Sequence, residues 1–234
     1  MKKWNKKAAA VLLAVLTLCT IVLSGCSKEE LAPADQVVGA MYDLCLKDDP
    51  KPMMDLLGFA SEDDVRTSLM EDSDTTLADV FEEEFASAGI EFTDEELQEM
   101  SDTIMKLVQK LTYTAAISEQ SKDETTVVLT VKSFSNADIQ QTMTDLQTEY
   151  LENMDEETQA ALMSGDEDAI MEFTRQIMKD YVSRLGELEP NGGESEITVK
   201  CEKMKVDVSG KEKVSWMPVD MDKFTEDVDN STFK

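Results

Sequence analysis

Two stretches of this chain alternate apolar and polar residues at every second position, and a long stretch with helical spacing separates them. In the first, Leu111, Tyr113, Ala115 and Ile117 run toward a turn at Ser121-Lys122-Asp123, after which Val127, Leu129 and Val131 resume the alternation. In the second, Ile197, Val199 and Cys201 alternate, the phase slips to Met204, Val206 and Val208, and Ser209-Gly210 turns the chain into Val214 and Trp216. Both read as β-hairpins with one buried face. The slip of phase predicts a β-bulge in the third strand.

Between the hairpins the period returns to that of a helix. Ile139, Met143, Leu146, Tyr150 and Met154 form one stripe, and Ile170, Phe173, Ile177, Tyr181 and Leu185 form another. Residues Ala137 to Leu188 are therefore read as a helical insertion, divided at Ser164-Gly165-Asp166, with Asp155 and Asp166 as N-caps. Pro190-Asn191-Gly192-Gly193 breaks the chain before it returns to the sheet. Hairpins linked in this way need no parallel crossover, so residues 110–133 and 196–217 are expected to form one antiparallel sheet of about four strands.

Helices precede the sheet. Val37, Val38, Met41, Leu44 and Cys45 share one face of a helix from Ala34 to Lys47, which Asp48-Asp49-Pro50 ends. A short helix over Lys51 to Leu57 stops at Gly58, a third covers Asp63 to Met70, and a fourth covers Thr76 to Ala88 with Leu77, Val80, Phe81 and Phe85 inward. Thr93 followed three residues later by Glu96 is a capping box for a helix reaching Gln109. The order of elements predicts an α+β domain whose sheet is covered on one face by the first helix.

The N-terminus carries a different message. Lys2, Lys3, Lys6 and Lys7 precede an uncharged run from Ala8 to Leu23, the basic and apolar regions of an export signal. A membrane crossing needs roughly 20 apolar residues, and this run stops at Leu23-Ser24-Gly25-Cys26, which resembles the bacterial lipobox. That resemblance implies removal of residues 1–25 and lipidation of Cys26 by a diacylglycerol, with acyl chains of the palmitate kind. Two acyl chains hold a protein stably, whereas one binds marginally. The expected organisation is a signal peptide (1–25), a tether (26–33), one α+β domain (34–220) containing the insertion (137–188), and a C-terminal tail (221–234). The protein is expected on the extracytoplasmic face of the cell membrane, in the cell envelope.

Charge narrows the partners. Four lysines and no acids leave with the signal, so 18 basic and 50 acidic side chains remain, a formal charge of −32. Such an acidic surface repels phosphate backbones, so no nucleic-acid partner is expected. Of four cysteines, Cys19 lies in the signal and Cys26 takes the lipid, leaving Cys45 and Cys201. Outside the cell these two could form a disulfide, or stand as separate buried thiols.

The lipobox, the first helix running into Lys47-Asp48-Asp49-Pro50, the Thr-rich hairpin and the closing Trp216-Met217-Pro218-Val219 together resemble the NTF2-like lipoproteins of Gram-positive bacteria. The resemblance implies an NTF2-like (cystatin-like) fold, a curved sheet wrapped around the first helix, with a cone mouth able to hold a ligand. The insertion departs from that pattern and could plug the cone, extend it or form a partner surface.

Chemistry is constrained mostly by what is missing. The chain has no histidine, which removes Ser-His-Asp and Cys-His relays and the usual base near neutral pH. NTF2-like isomerases use a carboxylate base and a tyrosine-lined oxyanion hole, roles that Tyr113 and a nearby carboxylate would fill; Tyr113 as a plain core aromatic is the simpler reading. Glu62-Asp63-Asp64, Glu82-Glu83-Glu84, Asp166-Glu167-Asp168 and Asp220-Met221-Asp222 offer hard oxygen ligands for calcium but match no calcium loop, and several sit in first helical turns, where carboxylates favour the helix dipole. Met41, Met143, Met154 and Met178 lie on or beside helical stripes and read as core filling. With no phosphate loop, no cofactor and no metal is expected. The reading is a membrane-anchored module binding a small ligand or an envelope protein without catalysis; the alternative is a carboxylate-based isomerase or dehydratase.

Overall fold

The structure, a computed structural model, describes residues 31–70 and 76–234. The signal and the greater part of the tether, including Cys26, lie outside the described residues. One antiparallel sheet, in the order β1-β2-β3-β4, is built from β1 (Tyr113–Gln120), β2 (Glu124–Lys132), β3 (Glu194–Val208) and β4 (Lys211–Pro218). The two segments read as hairpins pair internally, and β2 also pairs with β3, with Leu129 opposite Ile197 and Val127 opposite Val199.

Helix α1 (Ala34–Lys47) covers one face of this sheet, in contact with β1, β2 and β4. Its stripe of Val37, Val38, Met41 and Leu44 is fully buried against Val127, Leu129 and Val131. Full burial of each such side chain contributes about 1.5–3 kcal/mol, so the interior expected to be a cone is a filled core. The opposite side of β2 shows Thr126, Val128 and Thr130, which are half-buried. The chain stops α1 at Asp48, which takes a left-handed conformation with φ 49°.

Helices α2 (Lys51–Leu57) and α3 (Glu62–Leu69) then turn along the sheet margin. Ala60 N donates to Ser209 Oγ, and Ser209 Oγ donates to Asp64, which holds this margin to the β3–β4 turn. This contact accounts for the phase slip in β3. Beyond Glu202 the strand has no partner in β2 and continues with β4 alone. A two-stranded ribbon twists more strongly than a full sheet, and α3 lies against β3 here, so Val206 and Val208 become the buried pair. The β3 ladders carry no bulge. The irregularity sits in β1 instead, where the register shifts between Ile117 and Glu119.

Helices α4 (Leu77–Ser87) and α5 (Asp94–Gln109) both start with capping boxes, Thr76 with Asp79 and Thr93 with Glu96. The insertion forms α6 (Asn136–Asn153), α7 (Glu156–Ser164) and α8 (Glu167–Leu185), with Asp155 and Asp166 as the N-caps of the last two. It does not enter the sheet. α8 packs on α5, and Leu97, Met100 and Val182 gather Phe81, Phe85 and Phe92 into a second core. Val80, expected inward, is 43% exposed. A third cluster of Leu107, Leu111 and Phe134 joins this helical layer to the sheet domain.

The neck of the insertion is stitched by the backbone. Ser133 N donates to Gly193 O and Gly192 N donates to Ser133 O, at 2.9 and 2.8 Å. The Pro190–Gly193 break therefore has a structural task, to bring the exit of the insertion against its entry.

Residues 221–234, expected as a tail, form helix α9 (Met221–Thr232) instead. Asp220 caps it, and Phe224 and Val228 are buried in the main core beside α1. Phe233 then bridges to Phe134, and Phe134 N donates to Thr232 O. The acidic composition of this segment hides an i, i+4 apolar pair, which is enough to dock a helix whose other faces are solvated.

Candidate functional site

The chemistry foreseen for Tyr113 does bring it to a carboxylate. α1 and β1 place the Tyr113 hydroxyl so that it donates to Asp43 Oδ2 at 2.7 Å. Lys47, one helical turn further on, pairs with Asp43 Oδ1 at 2.9 Å. The Lys47 ammonium also stands 5.6 Å and 5.5 Å from the ring centres of Tyr42 and Tyr113, and those rings are 4.7 Å apart. Burial first, then the hydrogen bond to Asp43, push the Tyr113 phenol above its ordinary range. Tyr42 is fully buried, and its hydroxyl has no hydrogen-bond partner among the described residues.

The carboxylate is already satisfied from within the cluster. Both Asp43 oxygens are engaged, one by a phenol and one by an ammonium. The hollow beside it is lined by Asp43, Lys47, Asp48, Asp49 and Glu62 and is polar. A carboxylate becomes a working base near neutral pH through apolar, desolvating walls, which this hollow lacks. Tyr113 is an anchor that ties β1 to α1.

The second concavity was not foreseen. The end of α6, the first turns of α7 and the α8 stripe from Ala169 to Asp180 line an open groove of about 890 Å³. Its apolar floor is Tyr150, Met154, Ala161, Ala169 and Phe173. The Tyr150 and Phe173 rings meet edge to face at 5.5 Å, and Tyr150 donates to Asp180 at 2.5 Å. Burial, and then Asp180, push the Tyr150 phenol up to about 12. The stripe Tyr150/Met154 was legible in the sequence, but periodicity assigns such residues to a core. Its partners across the groove include the small side chains of Ala161 and Ala169.

The remaining candidates fall elsewhere. Cys45 and Cys201 are both free thiols bordering the main core, so the disulfide is not formed. Cys45 has Thr225 and Asp229 of α9 as neighbours, so the helix taken for a tail occupies its side of the core. Cys201 stands opposite Thr125 and Pro218 in the ladders. Three of the acidic clusters open helices α3, α8 and α9, while Glu82-Glu83-Glu84 lies exposed within α4. No group of three or more carboxylate or thiol side chains among the described residues could hold a metal ion. Met41 is in the core, while Met143, Met154 and Met178 are half-buried. No helix among the described residues is long and apolar enough to cross a membrane.

Comparison with known proteins adds one likeness. The fold is similar to that of a crystal structure from Bacillus subtilis described as a "putative lipoprotein (ycdA)", with a TM-score of 0.55 and 17% sequence identity. The match covers 98% of this chain and 60% of that one, so the chain spans well under two thirds of its structural neighbour. At this identity the likeness concerns the fold. No protein-family model matches the chain, and no curated protein matches it either.

Proposed function

We propose that this chain is an extracytoplasmic lipoprotein, anchored to the cell membrane through Cys26, whose folded domain binds a partner and performs no catalysis. The anchor rests on the basic segment, the apolar run and Leu23-Ser24-Gly25-Cys26, and the shared fold with a Gram-positive protein described as a lipoprotein supports it. The observation that carries the binding reading is the filled space between α1 and the sheet, with Tyr113, Asp43 and Lys47 locked to one another. An NTF2-like kinship belongs to the same proposal. A first helix laid on one face of an antiparallel sheet supports it, and the filled core removes the ligand-holding mouth it would otherwise offer.

The juxtaposition of Tyr113 and Asp43 favours the isomerase or dehydratase alternative, but the polar, acidic hollow beside them does not. Metabolic labelling with a fatty-acid analogue tests the anchor. The unaltered chain takes up label in a lipoprotein-processing bacterium, and Cys26→Ala remains an unlabelled precursor. Equal label in both proteins would remove the anchor.

A further inference from the structure

The insertion packs one side of α8 against α5 and leaves the other side facing the groove. The facing stripe of α8, from Ala169 to Asp180, extends over about 18 Å at 1.5 Å per residue. Its floor is apolar and partly aromatic. The groove lining contains five carboxylates, those of Glu149, Asp155, Glu157, Glu172 and Asp180, and neither lysine nor arginine. Glu149 is paired with Arg184 and Glu172 with Arg175. Asp155, Glu157 and Asp180 form no ion pair among the described residues. Asp180 nevertheless lies near enough to Arg184 to interact with it and accepts from Tyr150 and Gln176, and Asp155 accepts from Thr158, which leaves Glu157 the least engaged of the three. Elsewhere on the same helices Leu151 and Met163 stand 72% and 82% exposed, and Ile170, expected inside, is 41% exposed.

We propose that the groove between α6, α7 and α8 is the docking site for a basic amphipathic helix of a partner protein. The inference rests on the binding-module reading and names its partner class. An amphipathic helix laid in a groove reads an apolar floor through residues spaced three and four apart, and three turns match the length of the α8 stripe. Lysine or arginine on the helix flanks would meet Asp155, Glu157 and Asp180, while its apolar face would cover Tyr150, Met154 and Phe173. A second copy of this chain is a poor occupant, because each carries a formal charge of −28 and like charges oppose association. Ala161 and Ala169 set the width, since a larger side chain at either would fill the floor.

The test uses the full chain in non-ionic detergent micelles at physiological salt, with empty micelles as the blank. The probe is a fluorescein-labelled, 14-residue amphipathic helix of leucine and lysine, read by anisotropy. A leucine/glutamate helix and spermine are the comparison ligands. At physiological salt, charges beyond about 8 Å are screened, so removing three local charges reports on the groove rather than on the acidic surface as a whole.

Asp155→Asn/Glu157→Gln/Asp180→Asn should weaken the lysine helix at least tenfold. Asparagine still caps α7 and still accepts from Tyr150 but gives up the bonds from Thr158 Oγ1 and Gln176, so the melting temperature of the variant is measured beside its binding. Ala169→Trp should weaken it as much with no change of charge, and the glutamate helix should not bind. Equal binding by the unaltered chain and both variants would overturn the proposal, as would spermine binding that the triple variant loses while the lysine helix never binds. No binding of the lysine helix by the unaltered chain, in a protein that takes fatty-acid label at Cys26, would sink the groove and leave the anchor standing.

Discussion

The ring of Tyr113 lies directly on Gly39, so that a Cβ at residue 39 would stand 2.9 Å from both Cε2 and the phenol oxygen. The tyrosine cannot swing aside freely, because its hydroxyl is held by Asp43 at 2.7 Å. Alanine in a helix interior is favoured over glycine by roughly 1 kcal/mol. Displacing Tyr113 would sacrifice a hydrogen bond to a charged group, worth roughly 1.5–3 kcal/mol. Gly39→Ala is therefore expected to destabilise the domain by about 1 kcal/mol in urea denaturation, and a stabilised variant would contradict this contact.

The neck should be less forgiving. A Cβ at Gly192 would fall 2.5 Å from the carbonyl carbon of Phe134, which is backbone and cannot rotate out of the way. Gly192→Ala should cost about 1–3 kcal/mol, the range for overpacking a tight contact. Hydrogen exchange should show the protection of the Ser133 amide, which donates to Gly193, falling first.

Glu96 joins α5 to α8. Its carboxylate accepts from Arg175 and Lys179, each at 2.7 Å, and from the Thr93 amide. The Lys179 hydrogen bond first, and the Thr93 amide next, hold it down to about 2, from an ordinary 4.5. A depressed carboxyl contributes stability that is present above its unfolded value and is lost as the pH falls toward the folded one. The stability difference between the unaltered chain and Glu96→Gln should be complete at pH 6 and shrink between about pH 4.5 and 2. Thermal melts of both proteins at pH 6 and pH 3 check this, and a gap as wide at pH 3 as at pH 6 would contradict it.

The two thiols of the folded domain should be unreactive. Burial, and then Asp229, raise the Cys45 thiol to about 11, and burial raises that of Cys201 to about 12. The thiolate is the reacting species, so alkylation at pH 8 should leave both unmodified in the native protein and modify both in urea. Mass spectrometry gives the count, and native modification of Cys201 would show that β3 opens.

Period carried most of this architecture. Alternation at Val127/Leu129/Val131 and Ile197/Val199/Cys201 located the sheet and its inward face, because strand side chains keep a strict period of two. It failed where the environment changed along one strand. The swap of face at Val206 comes from α3 lying against a two-stranded ribbon, a tertiary contact that no local pattern encodes. Helix α9 was missed because Phe224 and Val228 are isolated among acids, and a single i, i+4 pair falls below what periodicity can distinguish from a solvated tail. Tyr113 was legible as a residue with a carboxylate nearby, but Lys47 turns that pair from a reactive arrangement into a structural tie. The groove was illegible for a different reason. The stripe at Tyr150 and Met154 looks like core, and only the tertiary arrangement of α6, α7 and α8 leaves it lining an open groove.

The stitched neck at Ser133 and Gly193 has a consequence for how such chains can vary. The connection between β2 and β3 is closed at its base, so α6, α7 and α8 are a hairpin loop grown into a cassette that rests on α5. Lengthening a closed loop is cheap, about 0.6 kcal/mol for each doubling, and the sheet would not register the change. A chain with a different cassette would keep every rung of the four-strand ladder, provided that its helices still cover Leu97 and Met100 of α5.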